Sequence, residues 1–437
     1  MKHILKYILG ALSRLTLWRY RPMIIGITGS VGKTSTREAI FAVLKKKYRV
    51  RTAEKNYNNE IGLPLAILGI PHCGKNVFGW FSELFCVCVH VVFFDRNFPE
   101  ILVLEYGVDR PGDMEYLVSI AKPDVAVMTA IGQIPVHVEF FSGPLDVAKE
   151  KAKLIQHVPI SGSVLMNADD EVLCEVKNKT KAKILTYGFD EHADAKILNY
   201  ELKLQNPHKA VSLHDGISFK IEYRGNTVPI RLSGCFGKPQ AYAASAASLI
   251  GILFNMNFVE IAEALAEYIP PPGRLRLIEG IKQSLILDDS YNASPHAMHE
   301  AIDVLCSLPA RRRIAVLGDM LEIGKFTEHA HRAAGDSVAQ CADVLITVGP
   351  RAKFTADEAG TRGIERKSRK IDKENIYQFD DSREAGKKLD ELIRPGDLVL
   401  VKGSQSMHME RVCEEIMAEP LRKGELLVRQ DGGWREV

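Results

Sequence analysis

The chain has 437 residues, 46% of them apolar, and at the usual domain size of about 100–200 residues this predicts two or three domains rather than one. Its 57 Lys and Arg nearly balance 55 Asp and Glu, so no global field marks a nucleic-acid binder, and small molecules are the expected partners. Eight cysteines lie scattered without the spacing of a structural zinc site, and they read as reduced thiols of a cytosolic protein.

The first 22 residues place Ile4, Leu5, Ile8, Leu9, Leu12 and Leu15 among Lys2, Lys6, Arg14, Arg19 and Arg21 at helical spacing. This predicts an amphipathic helix that either packs on the body or lies on a membrane surface; its apolar run is too short to span and no cleavage site follows. From residue 23, apolar β-type runs alternate with helical patterns: MIIGIT before REAIFAVLKKK, ILVLEY before MEYLVSIA, DVAVMTAI before LDVAKEKAKLI. Such alternation predicts a parallel sheet covered by helices. Between the first two pairs, the apolar stretch Phe78–Phe94 is interrupted by Glu83 and His90 and predicts a buried or partly interfacial helix, not a span.

At about 184–233 the texture changes to short alternating strands with turn signals, an antiparallel insertion or edge. A small-residue helix follows at 239–254, and PPPGR at 270–274 is a rigid segment suited to a hinge. Beyond it the strand–helix rhythm restarts with SLILDDS, RRIAVLGDM, ADVLITVG and DLVLVKG. The expected architecture is α/β: an amphipathic segment (1–22), a central P-loop parallel-sheet domain with an antiparallel β insertion (23–270) and a C-terminal Rossmann-like domain (271–437). The tail LLVRQDGGWREV resembles a small hairpin.

Chemistry is written most clearly in Gly26-Ile-Thr-Gly-Ser-Val-Gly-Lys-Thr-Ser35, between a strand and a helix. The amides of such a loop (Thr28, Gly29, Ser30, Val31, Gly32, Lys33, Thr34 and Ser35) cradle phosphates, Lys33 neutralises them, and the Thr34 hydroxyl reaches Mg2+. A strict nucleotide loop has Gly or Ala where Ile27 stands.

TGSVGKTS resembles the phosphate loop of Mur ligases, and the likeness continues in family order through NYNNEIGLPLAIL (56–68), LEYGVDRPGDMEYL (104–117), DDSYNASPHAMHEAIDVL (288–305), AVLGDMLEIG (315–324) with His331, and LVLVKGSQSMHME (398–410). These segments are similar to the branch that adds D-alanyl-D-alanine to a muramyl peptide. The resemblance implies that ATP phosphorylates a peptide carboxylate and that an amine displaces phosphate from the acyl-phosphate, with ATP and two Mg2+ ions required. It further implies a monomer acting in the cytoplasm, and the amphipathic pattern of residues 1–22 allows a membrane surface as a further contact.

The same resemblance assigns roles. Glu105 is expected to bind Mg2+, and His137 to help hold a second ion. Lys151 is expected to be carbamylated and to support the metal site, with Lys149 the competing candidate. Gln240 is placed at adenine, although Pro239 and Ala243 replace expected polar residues. Arg274 is placed at the ATP phosphates, Asp289 and Asn292 beside the nucleotide, Lys402 at a substrate carboxylate or phosphate, and Asn58 and Asn59 at the peptide. The plainer readings are a strand-end acid, a loop histidine, surface lysines and helix caps.

One departure from the branch concerns its N-terminal uridine-binding domain, since the ATP-binding strand here starts near Met23. Poor discrimination between UDP-linked and UDP-free precursor is therefore expected. The rival readings are a folylpolyglutamate- or cyanophycin-type ligase, or a non-catalytic ATP-binding subunit.

Overall fold

MIIGIT carries no charge, and five of its six residues are buried in the middle of a sheet. The computed structural model describes residues 2–53, 57–93, 95–206, 210–361 and 370–430. Its first sheet is built from β1 (Met23–Thr28), β2 (Val50–Thr52), β3 (Ile101–Glu105), β4 (Val125–Met128), β5 (Ser163–Asn167), β6 (Lys183–Gly188), β7 (Ala195–Lys203), β8 (Gly216–Tyr223) and β9 (Asn226–Ser233). They lie in the order β2-β3-β1-β4-β5-β6-β7-β8-β9, parallel through β7, with β8 and β9 antiparallel at the edge.

Both faces of this sheet are covered, which is why its parallel strands are apolar throughout rather than alternating. Ile25 and Ile27 pack with helix α2 (Lys33–Leu44) and with the helices Lys238–Leu253 and Phe258–Ala266. Ile24 points the other way, toward α3 (Gly62–Leu68), α5 (Asp113–Ile120) and α6 (Pro144–Gln156). The insertion between 195 and 233 instead alternates buried and open positions, most regularly in β9.

The second sheet contains β10 (Arg276–Glu279), β11 (Leu285–Asp289), β12 (Arg312–Gly318), β13 (Val344–Val348), β14 (Ile376–Phe379) and β15 (Asp397–Lys402), in the order β10-β11-β15-β12-β13-β14. Only β10 runs antiparallel to its neighbour. The α/β class with two sheets, the first parallel with an antiparallel edge, is as expected from the alternating pattern.

The N-terminal helix α1 (Lys2–Tyr20) and α4 (Val77–Phe93) pack on α3 as expected; α4 buries Trp80, Val87 and Val91, half-buries Leu84 and turns most of its other apolar residues outward. Two expectations meet a different outcome. Cys306 and Cys341 are joined in a disulfide with Cα atoms 5.3 Å apart, so not all eight thiols are reduced; the other six cysteines are free. The two lie 35 residues apart without a motif, and only the packing of the helices Pro295–Ser307 and Thr327–Ala339 brings them together. Leu426 ends a short helix rather than opening a strand, and residues 431–437 of the expected hairpin lie outside the described residues.

Candidate active site

The phosphate loop follows β1 as its sequence requires. Gly29 and Gly32 have φ of 148° and 87°, and a Cβ on Gly29 would fall 2.0 Å from Thr129 Oγ1, so glycine is obligatory there. Thr28 is buried and its hydroxyl donates to Tyr106 O at 2.9 Å, tying the loop to the strand beside it. The amides of Ser30 and Val31 donate to Ala130 O at 2.8 and 3.0 Å, bonds that must be released before either amide can face a phosphate.

Lys33 Nζ donates to Gly29 O at 2.8 Å. Burial holds its pKa below the ordinary lysine value, against the pull of Glu105. Glu105 ends β3, almost wholly buried, with Oε2 3.5 Å from Thr34 Oγ1 and Oε1 3.0 Å from Arg37 Nη1. From across the chain Arg274 brings Nη2 to 3.3 Å from Thr34 Oγ1 and lays its guanidinium 4.0 Å from the Tyr291 ring. Lys33, Thr34, Ser35, Glu105 and Arg274 are thus brought together; Tyr291 joins them from the DDSYNASP segment, and Arg37 joins them although no motif singled it out.

Lys151 is 2% exposed on α6, whereas Lys149 stands in solvent beside Asp146, which separates the two candidates. Burial, and then the Lys33 charge, push the Lys151 pKa down to about 7. Its amine meets no hydrogen-bonding or ion-pair partner among the described residues. Asp109 is close enough to act electrostatically on both Lys33 and Lys151, a role that its variable place in the LEYGVDRPG segment concealed.

His137 adopts a left-handed backbone, φ 68°. Its ring bridges two carboxylates, with Nε2 3.2 Å from Asp109 Oδ1 and Nδ1 2.7 Å from Glu322 Oε2. The two nitrogens lie on opposite edges of the ring, so the three side chains do not converge on a point. Among the described residues no group of three or more His, Cys, Asp or Glu could hold a metal ion.

Several expected ligands are already engaged. Gln240 donates from Nε2 to Arg274 O at 3.0 Å and accepts from the Tyr268 hydroxyl at 2.8 Å, so it positions Arg274. Lys402 is buried, 2.5 Å from Asp289 Oδ2 and 2.9 Å from Asn292 O, while Asn292 Oδ1 accepts from the amides of Ala293 and Gln405. Asn59 Oδ1 caps the start of α3 by accepting from Ile61 and Gly62, and the Asn58 carbonyl holds Gly107 just past Glu105. His331 accepts from Met320 N and contacts Thr327 O, fixing the turn after β12 rather than reaching the cleft.

Beside the loop a cavity of about 20 Å³, room for roughly one water, is lined by Val31, Gly32, Asn167, Tyr187, Tyr242 and His296 among others. Tyr242 and His296 stand at unconstrained positions inside the GKPQAYAAS and NASPHAM segments, so no motif points to them.

The Mur ligase middle domain model matches residues 27–78 and 89–249, and the model for the Mur ligase, glutamate ligase domain matches 273–405. The UDP-N-acetylmuramoyl-tripeptide–D-alanyl-D-alanine ligase of Bacillus subtilis is 29% identical over 415 residues, covering 94% of this chain and 80% of that protein. The Escherichia coli protein of the same name is 27% identical over 398 residues, covering 90% and 76%. The solved MurF ligase from Thermotoga maritima in complex with ADP aligns with a TM-score of 0.74 at 27% identity, covering 96% of this chain and 84% of that one. MurF from Acinetobacter baumannii, at 23% identity, shares the fold with a TM-score of 0.75 over 94% of this chain and 80% of its own. With a phosphate loop, a buried acid and an arginine from the second sheet assembled in one cleft, and with family models covering both sheets, the chain belongs to the Mur ligase family.

Proposed function

We propose that the chain is a monomeric, cytoplasmic ligase that uses ATP to join D-alanyl-D-alanine to the free carboxylate of a muramyl-peptide precursor, releasing ADP and phosphate. The observation that carries this reading is the convergence of Lys33, Thr34, Glu105 and Arg274 from two sheets. The two sheets act as separate domains meeting at residues 270–274.

A carboxylate oxygen attacks the γ-phosphorus of ATP, and the bond to ADP breaks to leave an acyl-phosphate. The amine then attacks the acyl carbon, loses its proton, and the carbon–oxygen bond to phosphate breaks. Negative charge gathers at the γ-phosphate throughout, and Lys33 and Arg274 place fixed cations there from a site with little water. Thr34 and Glu105 offer hard oxygen donors beside the loop, and they fit Mg2+, which when bound neutralises phosphate charge. His137 does not fit a second ion in the same way, because its ring keeps Asp109 and Glu322 apart, and no step is assigned to one there.

A buried, unpartnered, neutral Lys151 amine is a nucleophile toward CO2: a nitrogen–carbon bond forms, a proton leaves, and a carbamate anion results beside Lys33. Tyr187, Tyr242 and His296 line the small hollow beside the loop and are the residues proposed to receive adenine once it widens.

ADP release should depend on both the muramyl peptide and D-alanyl-D-alanine, with the amide product seen by mass spectrometry. Hydrolysis of ATP indifferent to both would sink the reading.

A further inference from the structure

The two helices that fall outside the family match, α1 entirely and α4 through residues 79–88, are also the two on which exposed large apolar side chains gather, where other described helices expose one at most. On α4, Phe78, Phe81, Phe85 and Val92 follow one another at spacings of three, four and seven, a single helical face, and Phe78 is 88% exposed. On α1, Ile4, Leu15 and Trp18 share a face, with Tyr7 beside it, and Trp18 is 67% exposed. The inward side of α1 carries Leu9 but also the hydroxyls of Ser13 and Thr16. A helix whose only task was to pack on the body would present the opposite arrangement.

The two helices are fixed to one another. The Tyr20 hydroxyl donates to His90 O at 2.6 Å and Arg19 Nε to Val91 O at 3.4 Å, and both helices rest on α3 through Leu9, Leu65, Leu68, Trp80, Val87 and Val91. Their outer faces are therefore held in a set arrangement. Solvent-facing apolar residues gathered in this way mark a docking surface.

Charge selects the occupant. Residues 1–22 contain five Lys or Arg and no Asp or Glu, in a chain whose total formal charge is only +2. Exposed Arg14 stands on α1, and Arg96 lies just past α4. Phe, Trp and Tyr over a basic flank are the composition of helices that lie in a lipid interface, where rings enter the headgroup boundary and cations meet anionic lipid. At 1.5 Å per residue α4 is about 26 Å long, short of the ~30 Å hydrocarbon core, and no described helix is long and apolar enough to cross a membrane.

We propose that α1 and α4 together form a surface that seats the protein on an anionic phospholipid bilayer. The inference stands apart from the ligase reading, because none of these residues lies in the nucleotide cleft. The test is co-sedimentation of the full chain with vesicles of phosphatidylcholine alone or mixed with phosphatidylglycerol. The chain should pellet with the anionic vesicles and be released by added salt. Phe81→Glu with Phe85→Glu should lower vesicle affinity by at least about tenfold, and Arg14→Gln by about fivefold. All three positions are solvent-exposed, so the thermal unfolding midpoint should stay unchanged.

Three results overturn the proposal. One is failure to pellet with either vesicle. Another is binding indifferent to phosphatidylglycerol and salt, which removes the anionic surface as the occupant. The third is a dimer, measured by light scattering, that the paired Phe substitutions dissolve without any vesicle binding; the face would then belong to a second copy.

Discussion

Two lysines, one on each sheet's side of the cleft, are equally hidden and differently treated. Lys402 on β15 is clamped between Asp289 and the Asn292 carbonyl, whereas Lys151 on α6 has no hydrogen-bonding or ion-pair partner among the described residues and feels Asp109, Glu150 and Asp113 only through the field. Burial lowers both pKa values, but the Asp289 charge opposes it at Lys402, while at Lys151 the next largest influence is a second cation, Lys33. A buried charge with a partner is a structural element; one without a partner costs stability and persists where chemistry needs it. The comparison gives Lys402 a structural place beside Asp289 and leaves Lys151, under the proposed function, as the lysine available for chemistry.

The largest effect should come from breaking the satisfied pair. Lys402→Ala leaves Asp289 buried and unpaired, and urea unfolding should show a loss of about 3–5 kcal/mol. A loss below 1 kcal/mol would mean that water reaches Asp289 and the contrast between the lysines fails. Lys151→Ala should instead fold normally and lose at least about 100-fold in kcat/KM for amide formation, near 2.7 kcal/mol, with partial rescue by acetate or formate. Full activity in that variant would remove Lys151 from the site.

Stability should move the other way when Lys151 is replaced by an apolar residue. In bicarbonate-free buffer Lys151→Met is expected to raise stability by about 1–2 kcal/mol near neutral pH. The folded-state pKa near 7 lies below the free-lysine value of 10.5, so the unfolded chain binds the extra proton between them. Wild-type stability therefore rises with pH across that window, and the advantage of Lys151→Met, greatest below about pH 7, should shrink toward pH 10.5. A gap constant with pH would argue against a neutral folded amine.

The smallest effect belongs to a pair left partly in water. His137 holds the Glu322 carboxyl below its usual range, but the side chains are 23% and 42% exposed. Glu322→Gln should cost under about 1 kcal/mol. A depressed carboxyl pKa stabilises above the unfolded value of 4.5 and is lost as pH falls through the folded one, so the variant and wild type should converge in acid.

The contrast between the lysines also marks what the amino-acid sequence could show. TGSVGKTS specifies its own conformation, because glycine at φ 87° and a lysine reaching back to Gly29 are local events, and the loop was legible at once. Long apolar runs such as ILVLE and DLVLVK were legible as strands for the same reason. The three- and four-residue strands β2 and β14 were not, since so short a run takes its conformation from its neighbour in the sheet. Whether Lys402 faced substrate or Asp289, and whether α4 faced the core or the outside, depended on residues distant in the chain. Asp109, Tyr242 and His296 sit at positions no motif constrains, and only the fold brings them to the loop.

Arg274 occupies a peculiar joint. Its neighbours are bound to the second sheet, Gly273 N to Asp288 and Leu275 N to Asp289, while its own carbonyl accepts from Gln240 on the first. A free arginine side chain searches its rotamers within nanoseconds, but this guanidinium is stacked on Tyr291, anchored on both flanks and held 3.3 Å from Thr34 Oγ1, so its position is tied to that of the two sheets. Sheet-scale rotations take microseconds to milliseconds. Under the proposed function a rotation at this joint sets the timing of Arg274 at the phosphates, and a probe of inter-sheet distance should then report the same rate constant as the step that Arg274 assists.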